Sequence, residues 1–265
     1  MSRPGGTVHY DNSGRVVVVT GGSQGIGKSI CEHFARSGAN CVCMDLIEPA
    51  RSENPERIHF ENGDTSIESD CRRVVEHTVE QFGGIDVLVN NAAIQPPDSY
   101  LPVDQLSQAT WDRMIGVNFS GYTFMAKHVL RVMKQQQSGV VVNIASGQGH
   151  RTARQVPCYG PIKAANILQT MQWGVEYARE GIRVVSVSPG AVDTPLVRAS
   201  LKAQGGATEL ANRHPVGRIG KPDEIAAAVL WLSMSDASFI TGTDLQVDGG
   251  LGALGAFAEP WPSDA

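Results

Sequence analysis

Short apolar runs alternate with stretches of helical periodicity along most of the chain. The runs at 16–20, 41–45, 58–61, 87–90, 140–145, 184–188 and 244–247 are rich in β-branched residues, so they read as strands. Apolar positions spaced three and four apart mark helices at about 25–37, 66–82, 110–136, 158–179 and 223–234. Gly38, Gly83-Gly84 and Gly181 stand where helices stop. Strands this short and continuously apolar are covered on both faces, as in a parallel sheet. Right-handed crossovers then predict a single α/β domain, a doubly wound, Rossmann-type parallel sheet with helices on both faces.

Composition narrows the partners. The chain has 265 residues and a net charge of −5 without a basic block, which argues against nucleic acid. No apolar run approaches the roughly 20 residues of a membrane helix. Met1 to Gly14 is polar and lacks an apolar core, so no secretory leader is expected. The five cysteines are odd in number and lack CxxC spacing, which fits reduced thiols and a cytoplasmic location. Cys41 and Cys43 fall on one face of a strand and read as buried thiols, with no metal site.

The first strand runs into Thr20-Gly21-Gly22-Ser23-Gln24-Gly25-Ile26-Gly27 and then a helix. Gly21, Gly25 and Gly27 let backbone N–H groups approach a pyrophosphate, and the helix N-terminus adds positive potential. A tight strand–helix turn is the plainer alternative. Asp45 ends the second strand, where a carboxylate reaches the adenosine ribose hydroxyls; a strand-end cap is its plainer reading. A 2′-phosphate there would meet like charge, at up to about 4 kcal/mol per unit charge at ~4 Å and an effective dielectric near 20. Leu46 follows, and no Lys or Arg lies between Gly22 and Gly27, so NAD is expected over NADP.

Tyr159 and Lys163 are one helical turn apart, and Ser146 ends a strand thirteen residues before the tyrosine. Oxidising a carbinol requires a proton transfer at its oxygen. A free tyrosine titrates near pH 10, too high for that task at neutrality. The Lys163 ammonium is expected to favour the phenolate and lower that value. Ser146 is expected to hold the substrate oxygen.

These residues, with NNAA at 90–93, Asn118, YGPIK at 159–163, SPGAVDTP at 188–195 and ITGTDLQVDGG at 240–250, resemble the short-chain dehydrogenase/reductases across nearly the whole chain. The resemblance implies a seven-stranded sheet, a nicotinamide cofactor and a homotetramer or dimer. It implies cofactor contacts from Gly21, Ser23, Gln24, Gly25, Ile26 and Gly27, with Asp45 and Leu46. It places Asp64 and Thr65 by the adenine, Asn91, Ala92 and Ala93 along the cofactor, and Pro189, Gly190, Val192 and Thr194 at the nicotinamide. It also gives Lys163 a bond to the nicotinamide ribose, and Asn118 a relay water. Two departures stand out. Ala93 replaces the usual glycine, and Pro161 lies within the Tyr-x-x-x-Lys turn. Proline is tolerated there if the helix begins near Cys158 or Tyr159.

Gln95, Ser146, Gln148, His150, Arg151 and Arg154 are candidate substrate contacts, although the loop between Ser146 and Tyr159 also reads as a solvated or subunit-contact surface. With Gln155 they favour a small polyhydroxylated or acidic substrate; Ile94, Pro96, Leu196 and Val197 offer an apolar wall instead. The stretch at about 194–220 reads as a lid or substrate loop. The tail at about 251–265 carries Phe257 and Trp261, expected to pack on the molecule or on a neighbouring subunit. The function expected is NAD-dependent oxidation of a secondary alcohol, polyol or sugar hydroxyl, or reduction of the matching ketone. An NADPH-type 3-oxoacyl or ketone reductase and a non-catalytic dinucleotide-binding scaffold are the alternatives.

Overall fold

The computed structural model describes residues 6, 8–50, 52–201 and 205–255. Its sheet holds seven parallel strands: β1 (Val16–Thr20), β2 (Asn40–Asp45), β3 (Ile58–Asn62), β4 (Val87–Asn90), β5 (Gly139–Ile144), β6 (Ile182–Pro189) and β7 (Thr243–Val247). They lie in the order β3-β2-β1-β4-β5-β6-β7. The chain therefore winds one way from β1 to β3, returns, and winds the other way from β4 to β7. The reversal falls between β1 and β4. Loops leaving neighbouring strands diverge there, which opens a crevice at the carboxyl ends of the strands.

Alternating side chains divide the core in two. Val17, Val19, Cys41, Cys43, Val87 and Val89 face α1 (Gly25–Arg36) and α8 (Pro222–Leu232). Val18, Val42, Met44, Leu88 and Val141 face α2 (Glu68–Phe82) and α4 (Gly121–Gln136). Burial on both sides explains the unbroken valine runs. All five cysteines are buried, Cys41 and Cys43 on the same face as expected.

The helical pattern at 110–136 is divided in the structure. α3 (Gln108–Ile115) passes through a π-helical turn at Gly116–Ser120 into α4, and Asn118 lies in that turn. Periodicity alone does not reveal one extra residue in a turn. α5 (Tyr159–Tyr177) carries the Tyr–Lys pair. The stretch following β6 holds two short helices, α6 (Pro195–Ser200) and α7 (Ala207–Asn212). Phe257 and Trp261 lie outside the described residues. No helix among the described residues is long and apolar enough to cross a membrane.

Candidate active site

The crevice between β1 and β4 is stitched shut at its floor. Thr20 Oγ accepts from the N–H groups of Asn91 and Ala92, at 3.0 and 3.1 Å. Asn91 Nδ2 donates back to the carbonyls of Thr20 and Gly21, at 2.9 and 3.0 Å. This contact demands glycine. A Cβ on Gly21 would lie 2.8 Å from Ala92 Cα, and one on Gly27 would collide with the Gly21 carbonyl. Ala93 is not among the described non-glycine residues with positive φ, so alanine is tolerated there. Helix α1 starts after Gln24 with no side-chain cap and no acid in its first turn. Its N-terminal N–H groups thus remain available to an anion, as a pyrophosphate requires.

Asp45 closes one end of this crevice. Its Oδ2 accepts from Ser23 N at 3.0 Å, and its Oδ1 from Leu46 N at 2.7 Å. The strand-end capping role is therefore present, and it aims the carboxylate at the loop. Asp64 is held in a similar way, its Oδ1 accepting from Ser66 N at 2.8 Å and from Ser66 Oγ at 2.7 Å. At the opposite end, His214 braces the turn after β6. Its Nδ1 donates to Leu210 O at 2.9 Å and its Nε2 accepts from Ala191 N at 3.0 Å. Thr194 caps α6, with its oxygen accepting from Val197 N at 3.3 Å.

Ser146 follows β5, and its Oγ accepts from Gln148 N at 3.1 Å. Tyr159 is the first residue of α5, with Cys158 as N-cap. Pro161 thus falls in the first turn, where N–H groups have no helical partner to lose. Lys163, one turn on, is buried. Its Nζ donates to Ile144 O at 2.7 Å and to Tyr122 Oη at 3.0 Å.

The electrostatics depart from expectation. Burial lowers the Lys163 ammonium to about 7. Burial also raises the Tyr159 hydroxyl above the usual phenol value, assisted by Tyr100 and opposed by its bond to Ser146. The Lys163 Nζ sits 5.6 Å from the centre of the Tyr159 ring and makes its hydrogen bonds elsewhere. Desolvation therefore outweighs the expected phenolate-stabilising effect.

Asn118 is fully buried under the site. Its Oδ1 accepts from Ile94 N and its Nδ2 donates to Ile94 O, both at 2.8 Å. Its own carbonyl accepts from Asn166 Nδ2 at 3.0 Å. The side chain thus clamps the loop that follows β4.

A cavity of about 770 Å³ joins these parts, from Asp45 past the glycine loop to Ser146, Tyr159 and Lys163. Every residue expected at the cofactor lines it except Ser23 and Gly27, which support the loop from behind. The glycine contacts, the uncapped helix start and the residues lining the cavity fit a dinucleotide.

The expected substrate set divides. Gln95 and Ser146 line the cavity, with Ile94, Pro96, Leu196 and Val197 beside them; Gln148, His150, Arg151 and Arg154 do not. His150 Nε2 pairs with Asp244 Oδ2 at 2.8 Å. Arg151 donates to the carbonyls of Gly252 and Leu254, the latter at 2.6 Å. Arg154 is exposed. The loop between Ser146 and Tyr159 therefore sends His150 and Arg151 toward β7 and the residues after it, away from the pocket. Tyr122, His214 and Asn166 were not anticipated. Each lies far in sequence from the group it holds, and none belongs to a recognisable motif.

Comparison with known proteins agrees with this geometry. A family model described as enoyl-(acyl carrier protein) reductase matches residues 21–252. A cis-4-hydroxycyclohexanecarboxylate dehydrogenase from Sinomonas cyclohexanicum is 37% identical, over 91% of this chain and 97% of its own length. A short chain dehydrogenase/reductase from Aspergillus oryzae is 34% identical, over 92% and 97%. The ligand-free aldohexose dehydrogenase of Thermoplasma acidophilum superposes with a TM-score of 0.87 at 33% identity, covering 95% of this chain and 98% of its own.

Proposed function

The chain belongs to the short-chain dehydrogenase/reductase family, and on that premise we propose that it is an NAD-dependent dehydrogenase. Its reaction is the oxidation of a secondary alcohol, polyol or sugar hydroxyl, or the reduction of the matching ketone. The observation that carries this reading is one cavity with Asp45 at one end and Ser146, Tyr159 and Lys163 at the other.

When bound, the nicotinamide ring accepts or supplies the hydride. The chain supplies the rest. Ser146 Oγ holds the substrate oxygen and stabilises charge developing on it. Tyr159 Oη takes or gives the proton at that oxygen. Lys163, held by Ile144 O and Tyr122 Oη with its Nζ 5.6 Å from the centre of the Tyr159 ring, sets a positive charge beside the phenol whenever it is protonated, and burial brings that protonation to about 7. Asn118 fixes the loop carrying Ile94 against the site.

Asp45 favours NAD by repelling a 2′-phosphate, which argues against the NADPH-type ketone reductase. The complete catalytic group argues against a scaffold. Two named relatives, which act on a hydroxycyclohexane acid and on an aldohexose, support an alcohol or sugar substrate. Leu168, Met171 and Val175 form an exposed apolar face on α5, 67%, 41% and 81% exposed, which supports a homotetramer or dimer. Buried thiols fit a cytoplasmic setting. Fluorescence titration with NADH and NADPH, followed by a panel of sugars, polyols and secondary alcohols, tests the reading. NADH binding without turnover of any alcohol or ketone on the panel would overturn it.

A further inference from the structure

Arg113 stands in the last turn of α3 and lines the cavity together with Val117, four residues on. The π-helical turn that follows α3 packs directly on the loop after β3. A Cβ on Gly116 would lie 3.3 Å from Ser66 Cβ, and one on Gly121 would lie 2.9 Å from Thr65 Cβ. That loop in turn adjoins Asp45, because Gly63 N donates to Asp45 O at 3.1 Å. Arg113 is thereby set beside residues 64–66, at the end of the cavity that holds Asp45, Leu46 and Ile47.

Among the described residues lining the cavity, the cationic side chains are Lys163 and Arg113. Lys163 is buried at the far end, where it donates to Ile144 O and Tyr122 Oη. Arg113 is exposed and makes no ion pair among the described residues. The two carboxylates at its end are engaged elsewhere. Asp45 accepts from Ser23 N and Leu46 N, and Asp64 accepts from Ser66 N and Oγ. The guanidinium is therefore available to a ligand.

A dinucleotide with its hydride-carrying ring at Ser146 and Tyr159 and its pyrophosphate at the start of α1 puts its adenosine half in this end. The phosphates are served by the N–H groups of α1, and the ribose hydroxyls by Asp45. The part left for Arg113 is the base. Leu46, Ile47 and Val117 give that end an apolar lining, which suits a flat heteroaromatic ring. A guanidinium is planar and weakly hydrated, so it stacks on such a ring with its charge against the π-face. We infer that Arg113 stacks on the adenine base and so retains the adenosine half of the cofactor. This rests on reading the cavity as a dinucleotide site.

Fluorescence titration with NADH, with ADP-ribose and adenosine as competitors, tests the contact without turnover. Reduced nicotinamide mononucleotide serves as the half that lacks the base. Arg113→Met removes the planar cation from an exposed helix position, and Arg113→Tyr puts back a planar ring without charge. Arg113→Met is expected to bind NADH, ADP-ribose and adenosine more weakly by a common factor of about three to ten, and the mononucleotide as wild type does. Arg113→Tyr is expected to recover most of that loss. Wild-type affinities in Arg113→Met would overturn the inference and leave Arg113 a solvated cation. A loss confined to the phosphate-bearing ligands and not recovered by tyrosine would overturn it in favour of a phosphate contact. A loss that extends equally to the mononucleotide would overturn it too. Absence of NADH binding in wild type would remove the dinucleotide reading and the inference with it, whereas NADH binding indifferent to Arg113 would remove the inference alone.

Discussion

Lys163 Nζ donates to the Tyr122 hydroxyl at 3.0 Å, and both groups donate to one carbonyl, that of Ile144, at 2.7 and 2.9 Å. Tyr122 comes from α4, Lys163 from α5, and Ile144 ends β5. The lysine is therefore held from two further elements. Tyr122→Phe removes an acceptor that favours the ammonium, so the Lys163 pKa should fall from its value of about 7. Stability should drop by about 1–2 kcal/mol in urea melts. The limb of the pH–rate profile set by Lys163 should move toward acid. An unchanged profile would show that Tyr122 only fills space.

Tyr159→Phe isolates the proton step. The ring remains in the cavity wall, and only the hydroxyl is lost. Turnover should fall by about 10²–10⁴-fold, while the dissociation constant for NADH changes little. Wild-type turnover in this variant would remove Tyr159 from the reaction.

Much of this site is legible in the residues because its parts are short and local. The glycine loop needs a strand before it and a helix after it, and both have clear periodicity. Tyr159 and Lys163 are one turn apart, so their partnership requires nothing but a helix. Tyr122 and Lys163 meet only after α4 and α5 pack, across 41 positions of sequence. The π-helical turn at Asn118 leaves the apolar pattern of 110–136 unbroken, and so escapes a reading based on period. His150 and Arg151 sit in a loop, where neither period nor alternation says which way a side chain points. Reading them as pocket residues followed their chain position between Ser146 and Tyr159; their partners at Asp244 and 252–254 depend on the fold.

Asp45 sets a prediction about cofactor choice. Its carboxylate already accepts from Ser23 N and Leu46 N, at 3.0 and 2.7 Å, and so is fixed in place before any ligand arrives. NADH should bind at least ~100-fold tighter than NADPH, a gap of about 2.7 kcal/mol. Asp45→Ala with Leu46→Arg should narrow that gap, because repulsion is replaced by a cation. The two loop N–H groups lose their acceptor, so some stability should be lost as well, about 1–3 kcal/mol. Equal dissociation constants in wild type would defeat this account.

The lowered pKa of Lys163 has a consequence for stability. Its value is about 7 in the folded chain against 10.5 for the free side chain. Between these values the unfolded chain binds a proton that the folded chain does not, so stability rises with pH across that window. The contribution is full above 10.5 and is lost as pH falls through about 7. Lys163→Met should remove the rise. Urea melts at pH 6.5 and pH 9 should show wild type gaining on the variant at the higher pH. The interval ends below pH 10 because Tyr159, raised by burial, contributes the opposite slope above it. A constant difference between the two proteins would mean that Lys163 stays charged throughout.

Arg151 shows where the loop between Ser146 and Tyr159 is anchored. It donates to the carbonyls of Gly252 and Leu254, and the same turn is held from within by Asp248, whose carboxylate accepts from Gly250 N at 3.0 Å and Gly252 N at 2.6 Å. His150 adds the bond to Asp244, whose other oxygen accepts from Ser186 Oγ and Ser188 Oγ at 2.6 and 2.9 Å. At its other end the loop packs tightly on the catalytic helix: a Cβ on Gly149 would lie 2.9 Å from the Lys163 backbone. Loosening the anchor should therefore free the residues after β7 first and the catalytic loop second. Arg151→Ala should speed proteolytic cutting near residues 250–255. It should lower kcat/KM for all substrates by a similar small factor, without changing the order of preference between polyols, hydroxy acids and apolar alcohols. Arg154→Ala, at an exposed side chain outside the cavity wall, should do neither. A selective loss of acidic substrates in Arg151→Ala, with unchanged proteolysis, would return the arginine to the pocket and contradict the placement described for it.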